Sequence, residues 1–428
     1  MMIQHHILYL EACTSGLTSN HKESFMRENS TDVAIVGGGP VGALAAFLLA
    51  QEGIDVVLID QNAEAIEDYR ASTFHPATLD LLAASGVTDA LLSMGLQCPV
   101  IQYRDRATGP VAELDLSVLS ADTKYPFRLQ CEQFKLTRWL HEKLEMMPSA
   151  TLLFSSNVTD VQANSDGGAT AVVTSNGSES RIDARYLIGC DGARSTVRQA
   201  MGINFEGYTH PEQFLVAGTQ FDFKGAMKNI QSINYTADPD EWFLLLEIPD
   251  MWRIVVPVSP NVAASKAQSS DYIQRCLQNI CPSDQPYEIL VNSVYRVHQR
   301  VADRFRSDAV FLAGDAAHVN NPLGGMGLNG GLHDAFVLTR ELTSVLRNGG
   351  SSTDLDRYEA LRRPVAINDI NATTERNKKA MEERDPSVRS ANNDRMKRIC
   401  SDPTLAYEHA LDASMITSLR ATGLLPSR

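Results

Sequence analysis

The stretch Val33-Ala34-Ile35-Val36-Gly37-Gly38-Gly39-Pro40-Val41-Gly42 decides the fold. Four apolar residues read as a buried strand, the glycines and Pro40 as a tight turn, and Leu44-Ala45-Ala46-Phe47-Leu48-Leu49 as the helix that follows. Glycine at 37, 39 and 42 suits this geometry, because the turn is sharp, the backbone must approach a pyrophosphate, and the helix must pack closely on the sheet. The helix N-terminus then offers free N–H groups and a partial positive charge to the anion. A second apolar run, Val56-Val57-Leu58-Ile59, ends in Asp60-Gln61, and Asp60 stands eighteen residues past Gly42. There a carboxylate can accept hydrogen bonds from a ribose. Strand, helix and strand form a βαβ unit, which makes the fold α/β with a Rossmann-like start. This motif alone leaves NAD and FAD open.

A second glycine-rich stretch, Gly314-Asp315-Ala316-Ala317-His318 running into Pro322-Leu323-Gly324-Gly325-Met326-Gly327-Leu328-Asn329, decides between them. Val310-Phe311-Leu312-Ala313 reads as a strand, and Asp315 at its end brings a carboxylate to the hydroxyls of a ribityl chain, which NAD lacks. The expected cofactor is therefore FAD. Pro322 and the glycines at 324, 325 and 327 would let a loop lie flat against an isoalloxazine ring. A helix expected from near Leu328-Asn329 to about Leu346 points its positive end back at that loop. An aligned helix start stabilises the negative charge of a reduced flavin without reorganising.

With both fingerprints in place, the chain resembles the FAD-dependent aromatic hydroxylases of the p-hydroxybenzoate hydroxylase type, the single-component flavoprotein monooxygenases. Four separated motifs carry the resemblance over roughly residues 31–350. It implies that Arg70, ten residues past Asp60, approaches the cofactor phosphates, and that Gln130 in Arg128-Leu129-Gln130-Cys131-Glu132 contacts the flavin chain. It also matches the family's Asp-Gly motif to Tyr186-Leu187-Ile188-Gly189-Cys190-Asp191-Gly192-Ala193-Arg194-Ser195-Thr196-Val197-Arg198, associated with FAD and NAD(P)H binding. Asp191 and Arg198 are assigned to organising that region.

The chain divides by pattern. A discontinuous FAD-binding domain is expected at 31–100, 126–202 and 300–350. An antiparallel-sheet substrate domain is inserted at 101–125 and 203–299, and a helical C-terminal segment occupies 351–428. Residues 1–30 read as a disordered extension. Turns are expected at Asp166-Gly167-Gly168 and Asn176-Gly177, the second a hairpin signal.

The resemblance implies a monooxygenase in which NAD(P)H reduces FAD and O2 forms a flavin C4a-hydroperoxide that hydroxylates a small phenolic or heteroaromatic ring. The protein must exclude water and orient the ring. Trp242, Phe243, Leu245, Met251, Trp252, Tyr235 and Phe221 are candidate walls, with Met326 beside the flavin. His75 and Tyr235 are the leading candidates for moving a proton, with Tyr295 and His298 behind them. Arg253 could hold a substrate carboxylate, and His318 is expected to brace its loop. A halogenase, a reductase or a non-catalytic FAD-binding protein on the same scaffold are the alternatives. The halogenase stretch Trp-x-Trp-x-Ile-Pro is missing at Met251-Trp252-Arg253-Ile254-Val255-Val256-Pro257.

Composition excludes little. A net charge of −14 argues against a nucleic-acid partner. Seven cysteines without CxxC spacing indicate neither a disulfide framework nor a metal site. No apolar run is long enough for a membrane span and no signal peptide is read, so the expected location is cytoplasmic. The expected partners are an aromatic substrate, O2 and NAD(P)H, with a homodimer as the candidate assembly.

Overall fold

A computed structural model describes residues 30–165 and 167–426. Residues 1–29 of the extension expected at 1–30, and Asp166 of the first expected turn, lie outside the described residues, while Ser30 opens the first strand.

The apolar run at 33–36 lies in the strand Ser30–Val36, which pairs in parallel with Val56–Ile59 on one side and Ser178–Gly189 on the other. Across the sheet the order is Arg306–Ser307, Val310–Leu312, Ser178–Gly189, Ser30–Val36, Val56–Ile59, Ala150–Leu153. The five longer strands of that path are all parallel. Continuous apolar strands of this kind need cover on both faces. The helix Pro40–Gln51 supplies cover and is apolar nearly all round, because helices Gln133–Glu145 and Met326–Arg347 pack on it from outside. Close approach at its start depends on Gly42, where a Cβ would stand 1.9 Å from the Gly37 carbonyl oxygen. Ala169–Ser175 adds to Ser178–Gly189 through a two-residue hairpin at Asn176 (φ 52°) and Gly177 (φ 77°), as the dipeptide predicts.

The second sheet runs His318–Val319, Val291–Ala302, Phe205–Thr219, Met251–Val258, Phe243–Ile248, Ile233–Ala237, Val100–Asp105, Gly109–Asp115. It is antiparallel except between Ile233–Ala237 and Val100–Asp105, which are parallel. Those two strands are far apart in sequence, so no tight turn dictates their direction. Alternation gives the sheet two apolar faces. One, with Leu215, Phe243, Leu245, Trp252 and Ile254, is sealed by the helix Ser270–Ile280, an element the β reading of 203–299 does not contain. The other, with Phe214, Leu244, Leu246 and Ile233, packs against the C-terminal helices through Ile370, Met381, Ala410, Met415, Ile416 and Leu419. The C-terminal helical segment is therefore a cover for this sheet. Between the two sheets lies the cleft that contains the fingerprint residues.

Candidate active site

The cleft has a volume of about 760 Å³. Gly37, Gly38, Gly39, Pro40 and Val41 line one end with Asp60 and Gln61, at the carboxyl ends of the parallel strands where α/β sheets bind ligands. Neither helix that starts at the cleft, Pro40–Gln51 after Gly39 or Met326–Arg347 after Gly325, has a side-chain cap. Their first-turn N–H groups are thus left for an anion. No described atom lies within 4 Å of where a Gly39 Cβ would stand, so this glycine keeps cleft space clear. Asp60 steadies the turn: Oδ2 accepts from the Gly38 N–H at 2.6 Å, and Oδ1 accepts from the Asn62 backbone N–H at 2.7 Å and side-chain amide at 2.8 Å.

At the other end stand Asp315, Pro322, Gly325, Met326, Gly327 and Leu328. The Asp315 carboxylate opens onto the cleft and accepts no hydrogen bond from the described residues. Desolvation inside the enclosing cleft raises its pKa, while His318 and Arg70 oppose the shift. Asp68 holds Arg70, accepting from Nε at 2.9 and 2.7 Å, and the Arg70 guanidinium lies 5.8 Å from the Tyr295 ring centre. Asp191 lines the middle, with Oδ2 accepting from the Val197 N–H at 3.1 Å and Oδ1 buried without a partner. Burial raises the Asp191 pKa. Arg198 bonds the carbonyls of Ala316 (2.9 Å) and Ala193 (2.8 Å), tying the Asp-Gly loop to the Asp315 loop. Two open helix starts, a cleared glycine turn, an orphaned carboxylate oxygen and the free Asp315 fit an extended, doubly anionic dinucleotide with a polyol arm.

Residues 30–373 match the family described as FAD binding domain. The chain is 33% identical over 397 residues to para-nitrophenol 4-monooxygenase of Pseudomonas sp. (strain WBC-3), covering 92% of this chain and 98% of that protein. It is 36% identical over 335 residues to 6-hydroxy-3-succinoylpyridine 3-monooxygenase HspB of Pseudomonas putida (strain DSM 28022 / S16), covering 77% and 84%. The crystal structure of p-nitrophenol 4-monooxygenase PnpA from Pseudomonas putida DLL-E4 superposes with a TM-score of 0.86 at 30% identity, covering 91% and 98%. The chain belongs to the FAD-dependent aromatic monooxygenases. Halogenase, reductase and non-catalytic readings are not favoured by these relatives.

Several expected residues of the monooxygenase do not line the cleft. Gln130 is fully buried, its amide bonded to Thr73 Oγ1 and its oxygen to Ser72 Oγ, both at 3.0 Å; Gln133 lines the cleft instead. Asn329 is a buried stitch: Oδ1 accepts from the His75 N–H (2.9 Å) and Nδ2 donates to the carbonyls of Thr73 (2.8 Å) and Gly325 (2.6 Å). Gly42 serves packing. His75 is fully buried behind the glycine loop, with Nε2 3.0 Å from the Gly324 carbonyl, and burial and Arg128 hold its pKa well below the usual imidazole range. It braces the loop and does not reach the cleft.

The aromatic walls also need correction. Phe243, Leu245 and Trp252 belong to the opposite apolar core beneath Ser270–Ile280, because strand alternation sends them away from the cleft, and Phe221, just past its strand, packs on the same core through Phe223. Trp242 packs on Phe214 (5.1 Å between ring centres) and donates its indole N–H to Glu382 at 2.9 Å, so it anchors the C-terminal helices. Met251 lies under Gly218. His298 lines the cleft with Nδ1 2.9 Å from Thr209 Oγ1, and Tyr295 lines it with a pKa pushed up to about 12 by burial. Arg253 lines it too, whereas Tyr235 does not, its hydroxyl accepting from Arg128 Nη1 at 3.1 Å.

Sequence reasoning missed the support behind Asp315. Asp334 is fully buried, with Oδ1 2.7 Å from Arg362 Nε and Oδ2 2.7 Å from His318 Nε2, and Oδ2 also accepts the Gly314 N–H at 3.1 Å. Burial pushes the Asp334 pKa up, but His318 and Arg362 outweigh it and hold the carboxyl below its usual value. His318 thus braces the loop through Asp334. The available signal was an acid set among Leu332, Ala335, Val337 and Leu338, on the buried side of the helix that follows the glycine loop.

Proposed function

We propose that this monooxygenase uses NAD(P)H and O2 to hydroxylate a small ring that already bears a hydroxyl, a phenol or hydroxylated N-heteroaromatic. The ring C–H becomes C–OH, the second oxygen atom leaves as water, and NAD(P)H with one proton supplies the two electrons. FAD, when bound, supplies the redox and oxygen-transfer chemistry. The observation that carries this reading is the pairing, in one cleft, of two uncapped helix starts with the unpaired Asp315 carboxylate. Two relatives named for hydroxylated six-membered rings support the substrate class.

In this reading the FAD domain comprises 31–100, 126–202 and 300–350. Gly37, Gly39, Pro40 and Val41 cradle the pyrophosphate, with Gly42 keeping the turn closed. Asp60 and Gln61 take the ribose end, Arg70 the phosphates, and Asp315 the polyol. Asp191 supports the middle, and Gln130 and Asn329 act by fixing the segment at 72–75. Pro322, Gly325, Gly327 and Leu328 border the ring, with Met326 between it and the substrate sheet of 101–125 and 203–299. Water is kept from the reacting ring by the C-terminal helices packed on that sheet.

The test is to load the purified protein with FAD and follow NAD(P)H loss, H2O2 release and product mass with a panel of phenols and hydroxypyridines. Substrate-stimulated NAD(P)H loss matched by hydroxylated product is expected. Loss matched only by H2O2 for every compound would overturn the reading.

A further inference from the structure

Gly38, in the middle of the glycine turn, is held at both ends by elements far apart in sequence. Its N–H donates to Asp60 Oδ2 at 2.6 Å, and its carbonyl lies 2.8 Å from Nε2 of His141, on the helix Gln133–Glu145. The imidazole is 8% exposed, borders the cleft beside Thr137 one turn earlier, and packs against the Phe154 ring with 5.0 Å between ring centres. A carbonyl only accepts, so Nε2 carries the hydrogen and the contact fixes the tautomer. Burial lowers the His141 pKa, opposed by the Gly38 bond and by Asp60, and the ring is uncharged near neutral pH. It supplies direction and no charge.

Direction matters because the turn has few donors. The Gly37 N–H is taken by the Ile59 carbonyl at 2.8 Å, the Gly38 N–H by Asp60, and Pro40 has none. Of residues 37–40, Gly39 alone keeps an N–H without an acceptor among the described residues. That N–H belongs to the same peptide unit as the Gly38 carbonyl. In a planar trans peptide the two groups point in opposite directions, so whatever holds the carbonyl also aims the N–H. The unit joins two glycines, and no side chain on either restrains its rotation. Asp60 cannot restrain it, because the Gly38 N–H belongs to the preceding peptide. At Gly39 the backbone borders open cleft, with no described atom within 4 Å of where a Cβ would stand.

We propose that His141 is a positioning residue for the cofactor, which turns the Gly39 N–H toward the pyrophosphate by holding the carbonyl at the other end of the same peptide. This rests on the reading above that the glycine turn cradles the pyrophosphate. Loss of the imidazole hydrogen bond leaves the peptide free to rotate and the buried Gly38 carbonyl without its donor.

The test titrates FAD into stripped protein, read by flavin fluorescence, and follows the pyrophosphate of bound FAD by phosphorus NMR at saturation. His141→Phe keeps ring packing and removes the donor, whereas His141→Gln returns an amide N–H close to the place of Nε2. His141→Phe should weaken FAD by about 10-fold, as for a lost hydrogen bond to a charged group, and leave the KM for the aromatic substrate at saturating FAD within about two-fold. It should also shift the pyrophosphate resonances. His141→Gln should restore most of the affinity and return the resonances toward wild type. Nitrogen NMR of wild-type protein labelled in histidine, with the His141 signals identified by their loss in His141→Gln, should show the Nε2–H tautomer. That measurement stands even where His141→Phe does not fold. Unmoved phosphorus resonances in His141→Phe, equal loss of affinity in both variants, or an Nδ1–H tautomer would each overturn the role of His141. Gly39→Val that retains FAD would overturn the underlying placement of the pyrophosphate, whereas Gly39→Val that loses FAD while His141→Phe binds it like wild type overturns the role of His141 alone.

Discussion

Replacing Arg362 with Met tests how the Asp315 loop is held. Arg362 is 1% exposed and Asp334 0%, so the 2.7 Å bond between them is shielded from water. Methionine fills similar space without charge, leaving Asp334 Oδ1 buried and without a donor. Breaking a buried pair from one side costs about 3–5 kcal/mol. His318 remains 2.7 Å from Oδ2, which points to the lower end of that range. With an unfolding entropy of about 2.1 cal/mol/K per residue over roughly 400 residues, about 3 kcal/mol lowers Tm by roughly 4 °C.

The same change should loosen FAD, because Asp334 also accepts the Gly314 N–H and so fixes the residue before Asp315. Thermal unfolding followed by flavin fluorescence and by near-UV circular dichroism, in loaded and stripped protein, measures both effects. Adding Asp334→Asn to Arg362→Met should recover stability, since the amide oxygen still accepts from Gly314 and no charge is stranded. A Tm for Arg362→Met within about 1 °C of wild type, or a double variant no more stable than the single one, would refute the reasoning.

Gly39→Val should fold with an unchanged Tm in the stripped protein yet fail to retain FAD on gel filtration, since its side chain would occupy only cleft space. Gly42→Ala should instead reduce soluble yield, because its Cβ would meet the Gly37 carbonyl at 1.9 Å. Trp242→Phe should lower Tm modestly, by loss of the Glu382 bond, and leave the KM for the aromatic substrate within about two-fold; a large KM change would return Trp242 to the substrate wall. Stability should fall on acidification below pH about 6.5, the ordinary imidazole value: burial first and Arg362 second hold the His333 pKa at about 3, so the unfolded chain binds a proton that the folded one refuses. The slope approaches about 1.4 kcal/mol per pH unit for each such histidine, His75 shifts in the same direction, and His333→Gln should flatten the Tm profile between pH 6.5 and 5.

What the sequence discloses follows from how each ligand would be held. The dinucleotide end is recognised largely by backbone, which restricts side chains at fixed spacings. Gly37, Gly39 and Gly42 mark the turn within six residues, and Gly314-Asp315 with Pro322 to Gly327 marks the other end. The Asn176-Gly177 hairpin is legible for the same local reason. The helix Ser270–Ile280 was also readable, since Ile273, Leu277 and Ile280 recur at helical spacing amid polar residues.

Strand alternation carries less than it promises. It groups Phe243 with Leu245 and Arg253 with Val255, but it cannot say which face meets the cleft when both faces are apolar, and the far face is covered by a helix. The sheet face under the C-terminal helices is harder still, because its polar groups come from distant segments: Arg128 from a three-residue strand, Tyr235 and Tyr103 from two paired strands, and His409 and Ala413 from the helix Pro403–Ala413. Each is ordinary in its own context, and only tertiary packing leaves Arg128 without a carboxylate partner among the described residues. A cofactor site built from main chain leaves a local signature that spacing reveals, whereas a polar cluster built from side chains of four segments leaves one only in the unpaired charge that folding creates.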